Sequence, residues 1–248
     1  MFLELAVRKF CAAASDLEMA PELTGILLLA ESAGVNWFSE VGASIDSEFA
    51  DGWEVTGTEE SFSVFLTRGD RSLLLVAGYQ VKTRERIEVL ALGTESRVAD
   101  ELPFLETVRE VFRVGATPVV PWGFGKWLPP RGAIVRQAVA SDECRGLFMG
   151  DIHGRPRLSR RPSLFRLAEG RGLPVLSGSD PLAFPADVAR VGSYGSVVEG
   201  RIDPLRPMES LRLAWSQSRA GFSTFGTRQT IVPFLARQVR LRTWGRLT

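Results

Sequence analysis

The chain has 248 residues, with 30 basic and 29 acidic side chains and a formal net charge of +1. So even a balance gives no overall attraction to nucleic acid. Cys11 and Cys144 are the two cysteines and form no CxxC pair, so a zinc ribbon or disulfide framework is not expected and a cytoplasmic setting is predicted. No signal-peptide pattern and no run of about 18 apolar residues is present, so we expect no membrane span.

The first third of the chain predicts a helix followed by an antiparallel unit. Residues 2–14 have apolar side chains at helical spacing, which predicts an opening helix. The run 24–30 is short and largely apolar, as is typical of a buried parallel strand. Alternating segments then predict an antiparallel hairpin that leads into the main sheet: residues 53–56, 62–67 and 73–77.

From residue 87 onward, predicted strands alternate with predicted helices. The strands are expected at residues 87–92, 117–120, 147–149, 173–176 and 191–198. The helices between them are expected at residues 102–113, 134–140 and 164–169. Ser163 is predicted to cap the last of these. Repeated βα units at this spacing predict a parallel sheet, open or closed into a barrel.

The C-terminal part predicts two closing helices and a basic tail. The helices are expected at residues 208–215 and 231–241. The second has a predicted buried stripe: Ile231, Phe234, Leu235 and Val239. After Glu209 there is no acidic residue, and seven arginines follow: Arg212, Arg219, Arg228, Arg237, Arg240, Arg242 and Arg246. This tail is either a solvated face or a surface for an acidic partner or an anionic membrane.

Acidic and basic side chains gather where the predicted strands end. Because the carboxyl ends of parallel strands meet at one rim, we expect these residues to lie together. Four carboxylates would supply acids, bases or ligands for a hard metal ion: Glu31, Glu88, Asp151 and Asp180. Each also has a structural alternative, since Asp151 and Asp180 can cap the helices that follow.

Basic and aromatic residues of the same rim favour binding of an anion or a sugar. Lys126 and Arg155 would hold a phosphate or carboxylate. Trp122 and Trp127 would pack on a sugar or a base. The alternative for Lys126 is a surface lysine whose stem covers apolar surface. His153, the one histidine of the chain, is either a general base or a hydrogen-bonded structural residue.

The order of these motifs resembles the PHP family, the polymerase and histidinol phosphatase domain. Residues 77–83 resemble its glycine–x–glutamate strand end, with Gln80 in place of a metal-binding Glu. Glu88 falls where the family often has a His. Residues 177–182 resemble its closing Gly-Ser-Asp-Ala-His, with Asp180 kept and Leu182 replacing the His.

Two further segments resemble the family but lack its metal-binding histidines. Residues 120–123 resemble the family's histidine–proline segment, with Val120 at the histidine position. Residues 27–32 resemble its Thr-Asp-His strand end, where Glu31 is the candidate acid. The first-strand His-x-His motif has no counterpart. Because imidazole is a principal ligand for transition metals, these replacements argue against the family's trinuclear cluster.

The resemblance implies a PHP-like distorted (β/α) barrel with mostly parallel strands and an extra antiparallel hairpin near the N-terminus. We therefore expect a single domain over residues 1–248, with a core at about residues 20–200 and closing helices with the basic tail at 201–248.

Three functions stay open at this point. The first is a rim that binds a small anionic or sugar-like ligand through Lys126, Arg155, Trp122, Trp127 and Gln80, without metal chemistry. The second is a metal-dependent phosphoesterase or related hydrolase. Its catalytic candidates are Asp151, His153 and Asp180, and its single Mg²⁺ or Mn²⁺ would be held by Glu31, Glu88 and Asp180. The third is a non-enzymatic interaction scaffold that docks through its arginine-rich tail.

Overall fold

The computed structural model describes residues 2–16, 23–181, 185–218 and 221–244, and the structural statements below concern these ranges. Their strands form two five-stranded sheets and a two-stranded one. Short 3₁₀ turns lie at Ala50–Gly52, Asp142–Cys144 and Pro185–Arg190. None of the helices in these ranges is long and apolar enough to cross a bilayer.

The first sheet is mostly antiparallel. It contains β1 (Gly25–Leu28), β2 (Glu48–Phe49), β3 (Trp53–Gly57), β4 (Ser63–Arg68) and β5 (Arg71–Val76), in the order β1-β5-β4-β3-β2. Strand β1 runs parallel to β5, whereas the other neighbours are antiparallel. A two-residue turn joins β4 to β5, and a connection this short permits only antiparallel pairing.

Two helices cover one face of the first sheet. Helix α1 (Phe2–Asp16) buries Leu3 and Val7, and α2 (Trp37–Gly42) buries Phe38 and Val41. These side chains pack with Trp53 in one core cluster. Buried and exposed residues alternate along β3, because successive strand residues point to opposite faces of the sheet. The buried ones belong to this core.

The second sheet has five strands, and three adjacent ones among them are parallel. Its strands are β6 (Gly78–Lys82), β7 (Glu88–Leu92), β8 (Thr117–Pro121), β9 (Phe148–Ile152) and β10 (Val175–Gly178), in the order β10-β9-β8-β7-β6. Strands β8, β9 and β10 are parallel, whereas β6 and β7 are antiparallel to their neighbours.

Three helices connect these strands and bury their apolar faces. They are α3 (Phe104–Arg113), α4 (Arg131–Ala140) and α5 (Ser163–Gly170). In α3 the buried residues Phe104, Thr107, Val108 and Val111 recur at helical spacing, so one stripe faces the sheet. The buried side chains of the three helices and of β6 to β9 form the largest core cluster.

A single residue, Ala77, separates β5 from β6, so one stretch of chain takes part in both five-stranded sheets. The main chain after β1 follows it across the join, where Glu31 N donates to Gly78 O at 3.0 Å. Gly78 is required here, because a Cβ atom would lie 2.4 Å from Leu29 O.

The rest of the described chain packs at the second sheet. Strands β11 (Tyr194–Val197) and β12 (Ser223–Gly226) form an antiparallel pair, and Ser196 Oγ on β11 accepts from Ser177 N on β10 at 2.8 Å. Helix α6 (Pro207–Gln217) buries Met208 and Trp215 against both large sheets. Helix α7 (Ile231–Trp244) follows.

The predicted fold class is wrong. Six of the nine strand pairings are antiparallel, and the described strands do not close into a barrel. The reason lies in the connection between β6 and β7. Thr83 N donates to Ile87 O at 2.9 Å and Arg86 N donates to Thr83 O at 2.8 Å, which makes a tight hairpin. A hairpin cannot supply the crossover that a parallel pair needs.

Most predicted elements are present, but two details are wrong. Ser163 is the first residue of α5 and its side chain caps nothing; Pro162 occupies the cap position. The predicted buried stripe of α7 is also wrong, since Phe234 is buried but Ile231, Leu235 and Val239 are exposed. Arg237 takes a buried position instead, because it has polar partners beneath the helix.

Candidate functional site

The strands β8, β9 and β10 end at one edge of the second sheet, which we call the carboxyl edge. Glu88 also lies there, because β7 runs antiparallel to β8 and begins where β8 ends. Loops after the three parallel strands therefore bring side chains from distant parts of the chain to one place, as in other open α/β sheets.

Asp151 and Arg155 form a buried ion pair at the end of β9. Arg155 Nε donates to Asp151 Oδ1 and Arg155 Nη2 donates to Asp151 Oδ2, both at 2.6 Å. The side chains are 4% and 3% exposed. A turn in which Arg155 N donates to Ile152 O returns the arginine over the strand end. This bidentate geometry fixes the orientation of both groups.

Tyr194 reaches the same carboxylate from β11. Its hydroxyl donates to Asp151 Oδ2 at 3.2 Å and accepts a hydrogen bond from the Ser177 side chain on β10. Burial raises the pKa of Tyr194, and the charge of Asp151 raises it further. The phenol therefore stays protonated and acts as a hydrogen-bond donor at neutral pH.

Arg228 lies beside this group without a carboxylate of its own. Its Nη1 donates to Pro156 O at 3.3 Å and its Nη2 to Arg157 O at 3.4 Å. Within the described ranges no acidic side chain forms an ion pair with it. Desolvation lowers the pKa of Arg228 and the neighbouring charge of Arg155 lowers it further, whereas the charge of Asp151 opposes this shift. The site therefore has an excess of positive charge.

An open cleft of about 1190 Å³ runs along β10 past these residues. Its charged lining consists of five arginines and two carboxylates: Arg155, Arg157, Arg161, Arg212 and Arg228, with Asp151 and Glu169. Asp151 neutralises Arg155, and Glu169 pairs with Arg161. We call the part near Tyr194 the arginine cleft; it is lined by Asp151, Arg155, Arg157, Arg161, Ser177, Tyr194 and Arg228.

A second polar group lies at the carboxyl edge. Lys126, in the loop after β8, forms an ion pair with Glu88. Asp180 follows β10 in a left-handed conformation with φ of 41°, and Arg237 Nη2 donates to its main-chain oxygen at 2.9 Å. Asp180 keeps exposed surface, but the protein atoms packed around it raise the pKa of its carboxyl group, and the charge of Arg237 opposes this. The charge of Glu88 also raises this pKa and that of Lys126 lowers it.

His153 directly follows β9. Its Nδ1 is buried and has no hydrogen-bond partner in the described ranges. Burial lowers the pKa of His153, and the positive charges of Arg190, Arg237 and Lys9 lower it further. A hydrogen bond to the main chain of Thr227 opposes this shift. The imidazole is therefore held in its neutral form.

Arg237 of α7 is packed tightly against the loop that follows β9. A Cβ atom on Gly154 would lie 2.2 Å from Arg237 Nη1, so any larger residue there would displace the guanidinium group. Arg237 Nε lies 3.9 Å from Asp187 Oδ2. Phe234 of the same helix packs edge-on against Phe124, with ring centroids 5.1 Å apart. Helix α7 thus covers part of the carboxyl edge.

The remaining predicted ligand-binding residues serve other contacts. Trp122 and Trp127 pack on the helix-side core, and the Trp127 ring meets Phe165 at 5.2 Å. Gln80, on β6, donates through its main-chain N to Glu31 O at 2.9 Å. The expected clamp of Lys126 and Arg155 on one anion is not assembled, because each arm has a carboxylate partner.

The predicted metal ligands are not brought together. Glu31 lies at the first sheet, where its Oε1 accepts from Phe38 N at 2.8 Å and so caps α2. Its Oε2 lies 3.9 Å from Arg97 Nη2. In the described ranges no three His, Cys, Asp or Glu side chains lie close enough together to hold a metal ion, so Glu31, Glu88 and Asp180 do not form a metal site.

Sequence reasoning missed the importance of two residues. Tyr194 is one of only two tyrosines, and Arg228 belongs to the acid-free C-terminal stretch. Those two facts are the only signals that the sequence offers for them. Their partners lie 43 and 72 residues away along the chain, at Asp151 and Pro156, so their convergence depends on the fold.

Comparison with known proteins shows the fold but no family. No family model matches the chain, and no curated protein sequence matches it. The PHP resemblance is therefore without support from either comparison. Among solved structures, the crystal structure of PsfC from Pseudomonas syringae PB-5123 is similar, with a TM-score of 0.54 over 95% of this chain and 90% of that one. The two sequences are 16% identical, so the likeness concerns the fold alone.

Proposed function

We propose that the protein binds a small anionic ligand, bearing a phosphate or carboxylate group, in the arginine cleft. The observation that carries the proposal is the position of Arg228. Its guanidinium group lines the cleft beside Arg155, and its hydrogen-bond partners among the described residues are main-chain oxygens. An anion bound there would supply the missing negative charge and a charge-assisted hydrogen bond.

The electrostatics of the cleft support the proposal. An arginine that is partly removed from water and placed near like charges is destabilised until an anion joins it. Desolvation and the charge of Arg155 lower the pKa of Arg228 in this way, and they outweigh the opposing charge of Asp151. The exposed side chain of Arg157 adds a second cation at the mouth of the cleft.

The buried group beneath Arg228 would give the site its shape. Asp151 and Arg155 hold each other in one orientation, and Asp151 in turn accepts from Tyr194. A preorganised site loses less conformational freedom on binding, which favours affinity. In this arrangement Arg155 positions the site, whereas Arg228 and Arg157 contact the ligand.

Titration calorimetry with inorganic phosphate, phenyl phosphate and acetate tests the proposal. We expect heat of binding for at least one of these anions, and an affinity that falls as the sodium chloride concentration rises. Arg228→Ala should weaken that affinity by about tenfold or more, because a hydrogen bond to a charged group contributes roughly 1.5–3 kcal/mol.

Arg68→Ala is the matched control. It removes the same charge from the first sheet, where Arg68 pairs with Glu4 at 3.6 Å and is 46% exposed. The control variant should bind anions like the unmodified protein. Absence of binding by all three anions, or equal weakening in the two variants, would refute the proposal.

A further inference from the structure

Helix α7 presents an apolar surface to solvent. The exposed fractions of Ile231, Val232, Leu235 and Val239 are 47%, 72%, 55% and 62%. The opposite side of the helix is anchored, because Phe234 and Arg237 are buried against the carboxyl edge. Isolated exposed aliphatic residues are ordinary, but four on one helix form a patch that favours an interaction.

Phe124 enlarges this patch from outside the helix. It is 56% exposed, and its ring lies 5.1 Å from that of Phe234. The loop after β8 therefore adds an aromatic side chain next to the aliphatic residues of α7. Aromatic and aliphatic groups on one surface are suited to the boundary between lipid headgroups and acyl chains.

The charge of this part of the chain decides what kind of surface it fits. No Asp or Glu follows Glu209. Of the seven arginines that do, Arg212, Arg228 and Arg237 take part in the contacts described above. Four remain: Arg219, Arg240, Arg242 and Arg246. Arg240 and Arg242 belong to α7 by position. An acidic surface is the complementary partner for such a stretch, and each basic residue near an anionic leaflet contributes about 1 kcal/mol.

We infer that α7 docks on an anionic lipid surface, with Val232, Leu235 and Phe124 entering the headgroup region. The helix has 14 residues, and Phe234 and Arg237 are buried on one side of it, so it would rest on the membrane and not cross it. The apolar contacts and the arginines act together, because one weak signal alone gives only marginal attachment. The inference is independent of the arginine cleft.

Vesicle flotation with the full chain tests this inference. The protein should float with vesicles of phosphatidylcholine mixed with phosphatidylglycerol, and should stay unbound with phosphatidylcholine alone. Added sodium chloride should reduce the bound fraction, since salt screens the attraction. Binding to both kinds of vesicle alike, or to neither, would overturn the inference.

The double variant Val232→Asp/Leu235→Asp separates the helix from the rest of the surface. We expect its vesicle affinity to fall by about tenfold or more, because two aliphatic contacts are lost and two charges are repelled. Leu213→Asp is the control. It lies 57% exposed on α6, whose Arg212 bonds to Gly115 O at the opposite edge of the sheet.

Two measurements keep the result unambiguous. Circular dichroism should show that both variants remain folded, since the substituted side chains are exposed. Analytical ultracentrifugation should give the same mass for the double variant and the unmodified protein. If the double variant instead breaks up a dimer and vesicle binding is unchanged, the patch is a contact between two copies and the lipid assignment is wrong.

Discussion

The two five-stranded sheets place their polar side chains differently. In the first sheet Glu31, beyond β1, caps a helix, and the buried hydroxyl of Ser63 on β4 bonds to Thr58 and Glu60. At the second sheet the end of β9 contributes a buried ion pair and β10 contributes Ser177, while Tyr194 of β11 and Arg228 after β12 complete one cleft. Three adjacent parallel strands bring several strand ends to one edge, whereas antiparallel neighbours send alternate ends to opposite edges. Strand direction thus helps to decide at which sheet polar side chains from distant parts of the chain meet.

The largest effect is expected from breaking the buried pair of the second sheet. Asp151→Ala should lower the free energy of unfolding by about 3–5 kcal/mol, because it leaves Arg155 buried without a counter-charge. Chemical denaturation followed by circular dichroism measures this loss. Asp142→Ala is the control. It removes a 74% exposed carboxylate that pairs with Arg171 at 2.8 Å, and should cost less than about 1 kcal/mol.

The double variant Asp151→Ala/Arg155→Met sharpens the same test. Removing both charges should restore much of the lost stability, since an apolar replacement of a buried pair is often nearly neutral. Equal losses for Asp151→Ala and Asp142→Ala would show that the pair is not buried as described.

A smaller effect is expected at the strand end of the first sheet. Glu31→Ala should lower the free energy of unfolding by about 1 kcal/mol, because Phe38 N at the start of α2 loses its acceptor. Glu31→Gln should retain most of this stability, since an amide oxygen accepts the same hydrogen bond. Thermal melts of the two variants provide the comparison. An equal loss in both would mean that charge, and not the cap, is what Glu31 contributes.

The smallest effect is a dependence of stability on pH at the carboxyl edge. The pKa of His153 is lowered in the folded protein, so the unfolded chain binds its proton more readily. Stability should therefore fall as the pH drops below the ordinary histidine pKa of about 6.5. The contribution of Asp180 has the opposite sign. Its pKa is raised in the folded protein, so the folded state binds the proton more readily and this contribution to stability increases as the pH falls.

His153→Gln isolates the histidine contribution. No other histidine is present, so the difference in unfolding free energy between this variant and the unmodified protein, followed from pH 7.5 down to about pH 5, reports on His153 alone. A difference that does not change with pH would show that the pKa of His153 is not lowered.

The sequence predicts local structure better than strand direction. Periodicity locates α3, α6 and the hairpin of β3, β4 and β5, because each depends on neighbours along the chain. The parallel barrel was wrong because a short apolar strand has the same pattern whichever way its partner runs. The turn at Thr83–Ile87 carries the decisive information, since its hairpin bonds set β7 antiparallel.

The candidate site shows a similar limit. The positions of Asp151, Arg155 and Asp180 after strands are evident from sequence, but their partners are not. Arg155 was expected to hold an external anion and instead neutralises Asp151. Which of two nearby charges is paired and which remains available depends on distances of a few ångströms, and Arg228 enters the cleft only through the path of the chain after β12.

The close succession of β5 and β6 limits which insertions and deletions the chain tolerates. Only Ala77 separates the two segments. An inserted or deleted residue would therefore move the side chains of one segment to the opposite face of its sheet. The register of residues 71–82 thus affects both five-stranded sheets at once. Homologous chains should vary freely in the length of their surface loops, yet keep an invariant number of residues across this span.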